Sequence, residues 1–332
     1  MCATYTNIKV LHRTGIPTNC ALPPASCLLI ILITRLPLQV PIMYTNFLDL
    51  DTENGLSVHV WPVPYEGTVS FMAGTKSGPE AMLRASYQIE TYDPHLDIDL
   101  ADLAHFQTMP YLRTPVNGPE GLHAAMRRVL QAYDPRNTFF LTLGGEHSIS
   151  LPLFEFYQQA YPELVILQID AHSDLRTDYE ESQLSHACIM ARARGIGLPA
   201  VQLGIRSLCK QEATYIKAQP ADELLTIFAW DLGSPAHTAE RINTFLQGRP
   251  LYITFDIDGL DPSLVPGTGT PEPGGITYPW IWEFFSHLWP GSHLAGMDMC
   301  EVAPVPGSVV SESVAVKNIV RILNCFLGRQ KQ

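Results

Sequence analysis

Three short apolar runs in this sequence each end abruptly in residues able to bind a cation, and that pattern narrows the possible folds more than any other. Residues 141–145 lead into Glu146-His147-Ser148, residues 165–169 into Asp170-Ala-His172-Ser-Asp174, and residues 252–255 into Asp256-Ile-Asp258. A short, continuous apolar run is how a strand buried on both faces reads, because a parallel sheet has no solvent side to alternate toward. Strands are predicted at 56–60, 139–143, 164–169, 201–205, 224–229, 252–255 and 293–297. Helical patterns lie between them, among them 119–133 after Asn117-Gly118, a segment opened by Ser185 as candidate N-cap, and 308–327. Strands alternating with helices predict an α/β fold with a mainly parallel sheet covered on both faces. In such sheets ligands bind just past the carboxyl ends of the strands, where these carboxylates and histidines fall.

No repeat or low-complexity linker divides 43–332, which reads as a single catalytic domain. Residues 1–42 read as an N-terminal extension of unknown role, and Met43 makes a natural alternative start. The most apolar early stretch, 27–40, is broken by Arg35 and Pro37 and falls short of the roughly 20 apolar residues of a spanning helix, so no membrane association is expected. With 33 Asp and Glu against 21 Lys and Arg, the formal net charge is -12. That balance disfavours nucleic acid and suits a small cationic partner. Seven cysteines show neither close pairing nor a short secreted context, which points to a reducing, cytoplasmic setting.

In extended chain, side chains at i, i+2 and i+4 point the same way. Asp170, His172 and Asp174 can therefore face one point, as can Asp256 and Asp258. Taken singly, each has a bland reading: Asp170 as a turn former or cap, His147 as a packed histidine, Asp256 and Asp258 as a turn before Gly259. Taken together, three such accidents at three strand ends are improbable. Adding His147 gives four carboxylates and two imidazoles, too many for a tetrahedral zinc site and rich in hard oxygen donors. The inventory suits two manganese-like ions, which sharing a water could lower its pKa and present hydroxide near neutral pH.

Gly144-Gly-Glu-His-Ser148, Asp170-Ala-His-Ser-Asp174, Ser185-His186-Ala and Phe255-Asp-Ile-Asp-Gly-Leu-Asp-Pro262 resemble, in order and spacing, the signature motifs of the ureohydrolase (arginase and agmatinase) family. Pro64-Tyr-Glu-Gly-Thr68 and the run 266–275 resemble its agmatinase branch. The resemblance implies the arginase-like three-layer αβα fold and two Mn2+, other divalent ions such as Ni2+ remaining open. It implies one ion held by His147, Asp170, Asp174 and Asp256, and the other by Asp170, His172, Asp256 and Asp258. His186 stands where the family has a proton-shuttling histidine, with Asp174 sharing in proton handling. Glu301, in Met297-Asp-Met-Cys-Glu-Val-Ala-Pro304, matches the carboxylate that receives the substrate guanidinium. Glu272 carries less weight, because the glycines around it set loop shape. The family further suggests a homo-oligomer, trimer or hexamer.

The reaction so implied is hydrolysis of agmatine to putrescine and urea. Arginases carry a Ser-Gly-Asn element after the Asp-Ala-His-x-Asp motif; 175–184 lacks it and instead offers Asp178, Glu180 and Glu181 for a distal ammonium. Arg176 keeps a carboxylate-bearing substrate such as guanidinobutyrate open; guanidinopropionate, guanidine and arginine are further alternatives. A zinc deacetylase and a catalytically silent binding relative are the readings from other classes, and intact ligands, His186 and Glu301 argue against both.

Overall fold

In chain order the strands are β1 (Leu56–Val63), β2 (Tyr92–Asp93), β3 (Ile98–Asp99), β4 (Ala104–Thr108), β5 (Phe139–Gly144), β6 (Val165–Ile169), β7 (Ala200–Ile205), β8 (Leu224–Phe228), β9 (Leu251–Asp256) and β10 (Leu294–Cys300). The helices are α1 (Gly78–Ser86), α2 (Gly118–Leu130), α3 (Leu151–Gln158), α4 (Ile189–Gly195), α5 (Lys210–Ala218), α6 (Pro235–Leu246), α7 (Tyr278–His287) and α8 (Val310–Arg329). These come from a computed structural model, which describes residues 46–50, 52–53, 55–288, 291 and 293–329. The expectations for residues 1–42 and Met43 lie outside the described residues.

Eight strands form one sheet in the order β4-β1-β5-β10-β9-β6-β7-β8, and every neighbouring pair is parallel. β2 and β3 make a separate antiparallel pair. Because successive strand side chains alternate between faces, the sheet feeds two cores. Leu141 and Leu143, Val165 and Leu167, Ile253 and Phe255, Met297 and Met299 join residues of α1, α6, α7 and α8 on one face. Phe140, Ile166, Tyr252 and Ala295 join residues of α2, α3 and α4 on the other. The result is the three-layer αβα arrangement that the apolar runs imply. Each fully buried aliphatic or aromatic side chain in it contributes roughly 1.5–3 kcal/mol.

Most strand boundaries fall within a few residues of expectation, with β1 and β10 each extending three residues further at the carboxyl end. β4, an edge strand, and the β2–β3 pair carry too little apolar sequence to be read in advance. The helix expected at 119–133 is α2, whose Leu122, Met126 and Leu130 recur every four residues and are all buried. Ser185 does precede a helical turn, but its side chain makes no capping bond; its hydroxyl is directed to Cys188 Sγ at 3.3 Å.

Candidate active site

The four central strands β5, β10, β9 and β6 each hand a polar segment to the same edge of the sheet. After β5 the chain turns tightly at Gly145, where a Cβ would come within 1.9 Å of the Tyr65 carbonyl oxygen, so only glycine fits. That turn brings His147 to the start of a short 3-10 helix, His147–Ser150. After β6, Asp170 is fixed by Gln168 Nε2 donating to one oxygen at 2.7 Å and the His172 N–H to the other at 2.6 Å. Asp174 sits at φ 51°, an uncommon left-handed conformation for aspartate. Its carbonyl accepts the N–H groups of Met190 and Ala191 at 3.0 Å each. After β9, the Asp258 N–H donates to Asp256 Oδ1 at 2.9 Å, and Asp258 Oδ1 accepts from the Ala171 N–H at 3.1 Å.

These turns bring all six side chains together. His147 Nδ1 lies 3.2 Å from Asp170 Oδ2 and 3.3 Å from both Asp174 Oδ2 and Asp256 Oδ2. His172 Nδ1 lies 3.1 Å from Asp258 Oδ2 and 3.7 Å from Asp170 Oδ1. Two triads have ligand atoms within 4.8 Å of one another: His147 with Asp170 and Asp256, and His172 with Asp170 and Asp258. Asp170 is common to both. Glu272, at 3.9 Å from His172 Nε2, stands at the margin.

The donor set fits a pair of divalent cations on one further observation. His147 Nε2 is 2.7 Å from Thr254 Oγ1, whose hydroxyl donates to the buried Asp298 at 2.6 Å. With its hydrogen spent on Asp298, Thr254 can only accept, so the ring proton of His147 sits on Nε2. Nδ1 therefore aims a lone pair at three carboxylate oxygens, and this buried atom has no hydrogen-bond partner. His147 Nδ1 and the carboxylate oxygens of Asp170 and Asp256 lie within 4.8 Å of one another, with Asp174 Oδ2 3.3 Å from Nδ1 but in neither triad, an arrangement that a cation completes.

Charge states without a cation point the same way. Burial and then Asp258 and Asp170 push Asp256 well above the usual carboxylate range. Burial and then Asp170 raise Asp174 to about 7. Burial opposes protonation of the histidines, yet the facing carboxylates prevail: His147 is raised well above its usual value, and His172, beside Asp258 and Asp170, is pushed up to about 12. Asp170 goes the other way: against burial, the two imidazoles that face it hold it below the usual range. The cluster thus takes up protons where divalent charge would otherwise balance it.

Beside the cluster, Glu301 follows β10 at φ 60°. Burial, then the charge of Glu146, pushes its carboxyl well above the usual range. Its Oε1 accepts the His147 N–H at 2.7 Å. Glu301 and His186 share a small recess with Ser70, Met72 and Thr270. His186, Asp174 and His172 also line an adjoining cavity of about 330 Å³ that reaches Arg176, Tyr179 and Cys209. Burial draws His186 below its usual pKa, so its ring is neutral at physiological pH.

Sequence reasoning singled out the six candidate metal ligands, His186 and Glu301, and the structure brings all of them to one sheet edge, with Asp174 outside both metal-capable triads. The acidic residues expected to meet a distal ammonium do not line the cavity: Asp178, Glu180 and Glu181 are exposed, and the segment contributes Arg176 and Tyr179 instead, the guanidinium lying 4.9 Å over the ring. Sequence reasoning missed Thr254, Asp298, Glu146, Thr68 and Arg206. Polar residues inside otherwise apolar strands would have flagged Thr254 and Asp298. Arg206 donates to the carbonyls of Asp258, Gly259, Leu260 and Glu272 at 2.7–3.2 Å, tying the β9 turn to the Gly-rich loop.

A family model described as the arginase family matches residues 56–325. An N(1)-aminopropylagmatine ureohydrolase from Synechocystis sp. is 33% identical over 281 residues, covering 83% of this chain and 91% of that protein. An agmatinase from Bacillus anthracis is 33% identical over 267 residues, covering 80% of this chain and 89% of the relative. A crystal structure of a hypothetical agmatinase from Burkholderia thailandensis superposes with a TM-score of 0.76 at 28% identity, over 87% of this chain and 92% of that one.

Proposed function

The chain belongs to the arginase family, and from that premise we propose that this amidinohydrolase cleaves agmatine to putrescine and urea. The observation that carries the reading is the buried Glu301, pinned on one oxygen by the His147 N–H at 2.7 Å beside a cluster able to hold divalent cations. A carboxylate so placed is a seat for a guanidinium, whose paired N–H groups match it.

In this reading His147, Asp170, Asp174 and Asp256 hold one ion, and Asp170, His172, Asp256 and Asp258 the other, with manganese in both positions. Bound there, the ions supply Lewis acidity and bring the pKa of a water toward neutrality. The protein's own groups do the rest. Glu301 takes up the guanidinium and fixes its carbon toward the cluster, which removes orientational freedom before the reaction begins. His186, neutral and facing the recess, accepts a proton and returns it to the departing amine. Asp174, whose carboxyl lies against His147, shares in holding the proton.

Agmatine is favoured over arginine because residues 175–184 lack the Ser-Gly-Asn element and because the agmatinase from Bacillus anthracis matches over most of its length. A longer substrate, N(1)-aminopropylagmatine, is the second reading, favoured by the Synechocystis relative and by a cavity that continues to Leu208 and Cys209. The same reading takes 43–332 as the catalytic domain and 1–42 as an extension, and makes the protein a cytoplasmic homo-oligomer, trimer or hexamer, acting in polyamine biosynthesis without nucleic acid or membrane partners. Among the described residues no helix is long and apolar enough to cross a membrane.

Urea release by the manganese-loaded full chain, compared across agmatine, N(1)-aminopropylagmatine, arginine, guanidinobutyrate, guanidinopropionate and guanidine, tests the proposal. The highest kcat/KM is expected with agmatine. A preference for guanidinobutyrate would hand the decisive role to Arg176, and no urea from any of the six would end the reading.

A further inference from the structure

Glu146 is fully buried and yet has no place among the cation-binding groups. Its carboxylate takes four donors. Oε2 accepts the N–H groups of Gly67 at 2.6 Å and Thr68 at 2.7 Å, and Oε1 accepts the hydroxyls of Thr68 at 2.7 Å and Ser148 at 2.6 Å. Thr68 in turn meets His186 twice: its Oγ1 accepts the His186 backbone N–H at 3.2 Å and lies 3.1 Å from His186 Nδ1.

A hydroxyl has one hydrogen and two lone pairs. The hydrogen of Thr68 is spent on Glu146 and one lone pair on the His186 backbone, so towards Nδ1 it can only accept. The proton of the neutral His186 ring therefore sits on Nδ1, and Nε2, which is 3.5 Å from Ser70 Oγ in the recess, carries the free lone pair. We propose that Glu146, acting through Thr68, is a positioning residue that fixes the tautomer and ring orientation of His186 so that Nε2 is the nitrogen presented to the substrate. The inference rests on the reading of His186 as the proton carrier. It explains why the segment ending in Thr68 is tied to the turn after β5: the loop that orients the histidine is anchored by the residue next to the cation-binding His147.

Two substitutions act on different links of the chain. In Thr68→Val the shape is kept and the acceptor is lost. In Glu146→Gln the two backbone N–H groups hold the amide oxygen on their side, so the amide nitrogen faces Thr68 and donates to it. The threonine hydrogen then turns to Nδ1, and the proton is driven to Nε2. Both variants are expected to lose roughly 100-fold in kcat, the lower end of what a positioned general acid–base group contributes. KM should stay within about threefold and metal content should be unchanged. Thr68→Ser, which keeps the hydroxyl, restores kcat to within about threefold of the parent protein. In a His186→Ala background, Thr68→Val is expected to cost nothing further.

Steady-state urea release, bound metal and Tm are measured on the full manganese-loaded chain. Full activity in His186→Ala overturns the reading of His186 and this inference with it. An impaired His186→Ala beside Thr68→Val and Glu146→Gln variants of parental kcat overturns the inference alone. So does a Thr68→Ser variant as slow as Thr68→Val, or a loss confined to KM. Should Thr68→Val fail to fold, Glu146→Gln in the same assay decides the matter.

Discussion

Replacing Glu301 by glutamine removes one charge and almost no volume, and the structure says what each half of the side chain would then do. The glutamine carbonyl can still accept the His147 N–H now bound at 2.7 Å. The amide nitrogen must then occupy the other position and point hydrogens at a guanidinium that carries only hydrogens of its own. The lost interaction is a charge-assisted bond in a residue that is 7% exposed; such bonds contribute about 1.5–3 kcal/mol. At 1.36 kcal/mol per factor of ten, kcat/KM for agmatine should fall roughly 10- to 150-fold. Bound metal should not change, because the Glu301 carboxylate is engaged by the His147 backbone N–H and is not assigned to either ion. Stability should move the other way. Burial, then Glu146, holds the Glu301 carboxyl well above the usual range, so the fold prefers the uncharged form that glutamine mimics. The chelated variant should therefore melt at or above the Tm of the chelated parent at pH 8. Urea kinetics, bound metal and a melting curve on one preparation check all three. A variant that has lost its metal, or one nearly as active as the parent, would refute the assignment of Glu301 to the guanidinium.

Asp256→Asn should strip bound metal, and elemental analysis that finds the parental content would remove Asp256 from the ligand set. Asp298→Ala should weaken metal binding about 10- to 100-fold without touching a ligand, because it removes the acceptor of the Thr254 hydroxyl and lets the His147 proton move to Nδ1. A competition assay with a chelating dye that finds unchanged affinity would count against that relay. Chelated protein should lose stability as pH rises from 6 to 8. The contribution of Asp174, raised to about 7, is fully present below the ordinary carboxylate pKa and is lost through pH 7. That of His172, raised to about 12, begins to fade above its ordinary value and is lost only near 12. Metal-loaded protein, its ligands already deprotonated, should show no such fall; a chelated Tm that holds or rises over this range would contradict the charge states described.

The strands that carry the site were legible because their burial leaves a mark in sequence: a run of four or five mostly apolar residues, then a carboxylate or histidine. The edge strand β4 (Ala-His-Phe-Gln-Thr) has no such mark, since only its Ala104 and Phe106 are buried. Five of the six candidate cation ligands could be read from local spacing, with i, i+2 and i+4 placing Asp170, His172 and Asp174, and Asp256 and Asp258, on one side of each chain end, while His147 was added from the end of a third predicted strand. Thr68 and Glu146 could not be joined in that way, although both stand in motifs quoted from the sequence, because 78 positions separate them and only the β1–β5 pairing brings their turns together. Ser185 shows the limit of residue preference: the right residue in the right place spends its hydroxyl on a neighbouring thiol. Asp178, Glu180 and Glu181 show another. Two of them adopt positive φ and all three face solvent, a backbone choice that charge counting does not reveal.

The position of β10 bears on how a chain of this kind is made. β10 lies between β5 and β9, and no other strand joins the block β4-β1-β5 to the block β9-β6-β7-β8. His147 follows the first block, while Asp170, His172, Asp174, Asp256 and Asp258 follow strands of the second. A ribosome that has translated as far as Asp258 has made all six candidate cation ligands but not the strand that welds their two supports together. Such late, long-range pairing is slow compared with local folding. Assembly of the full candidate ligand set therefore follows release of residues 294–300 from the exit tunnel, and a nascent chain arrested before that point would expose five of the six donors on a half-sheet with an unpaired edge.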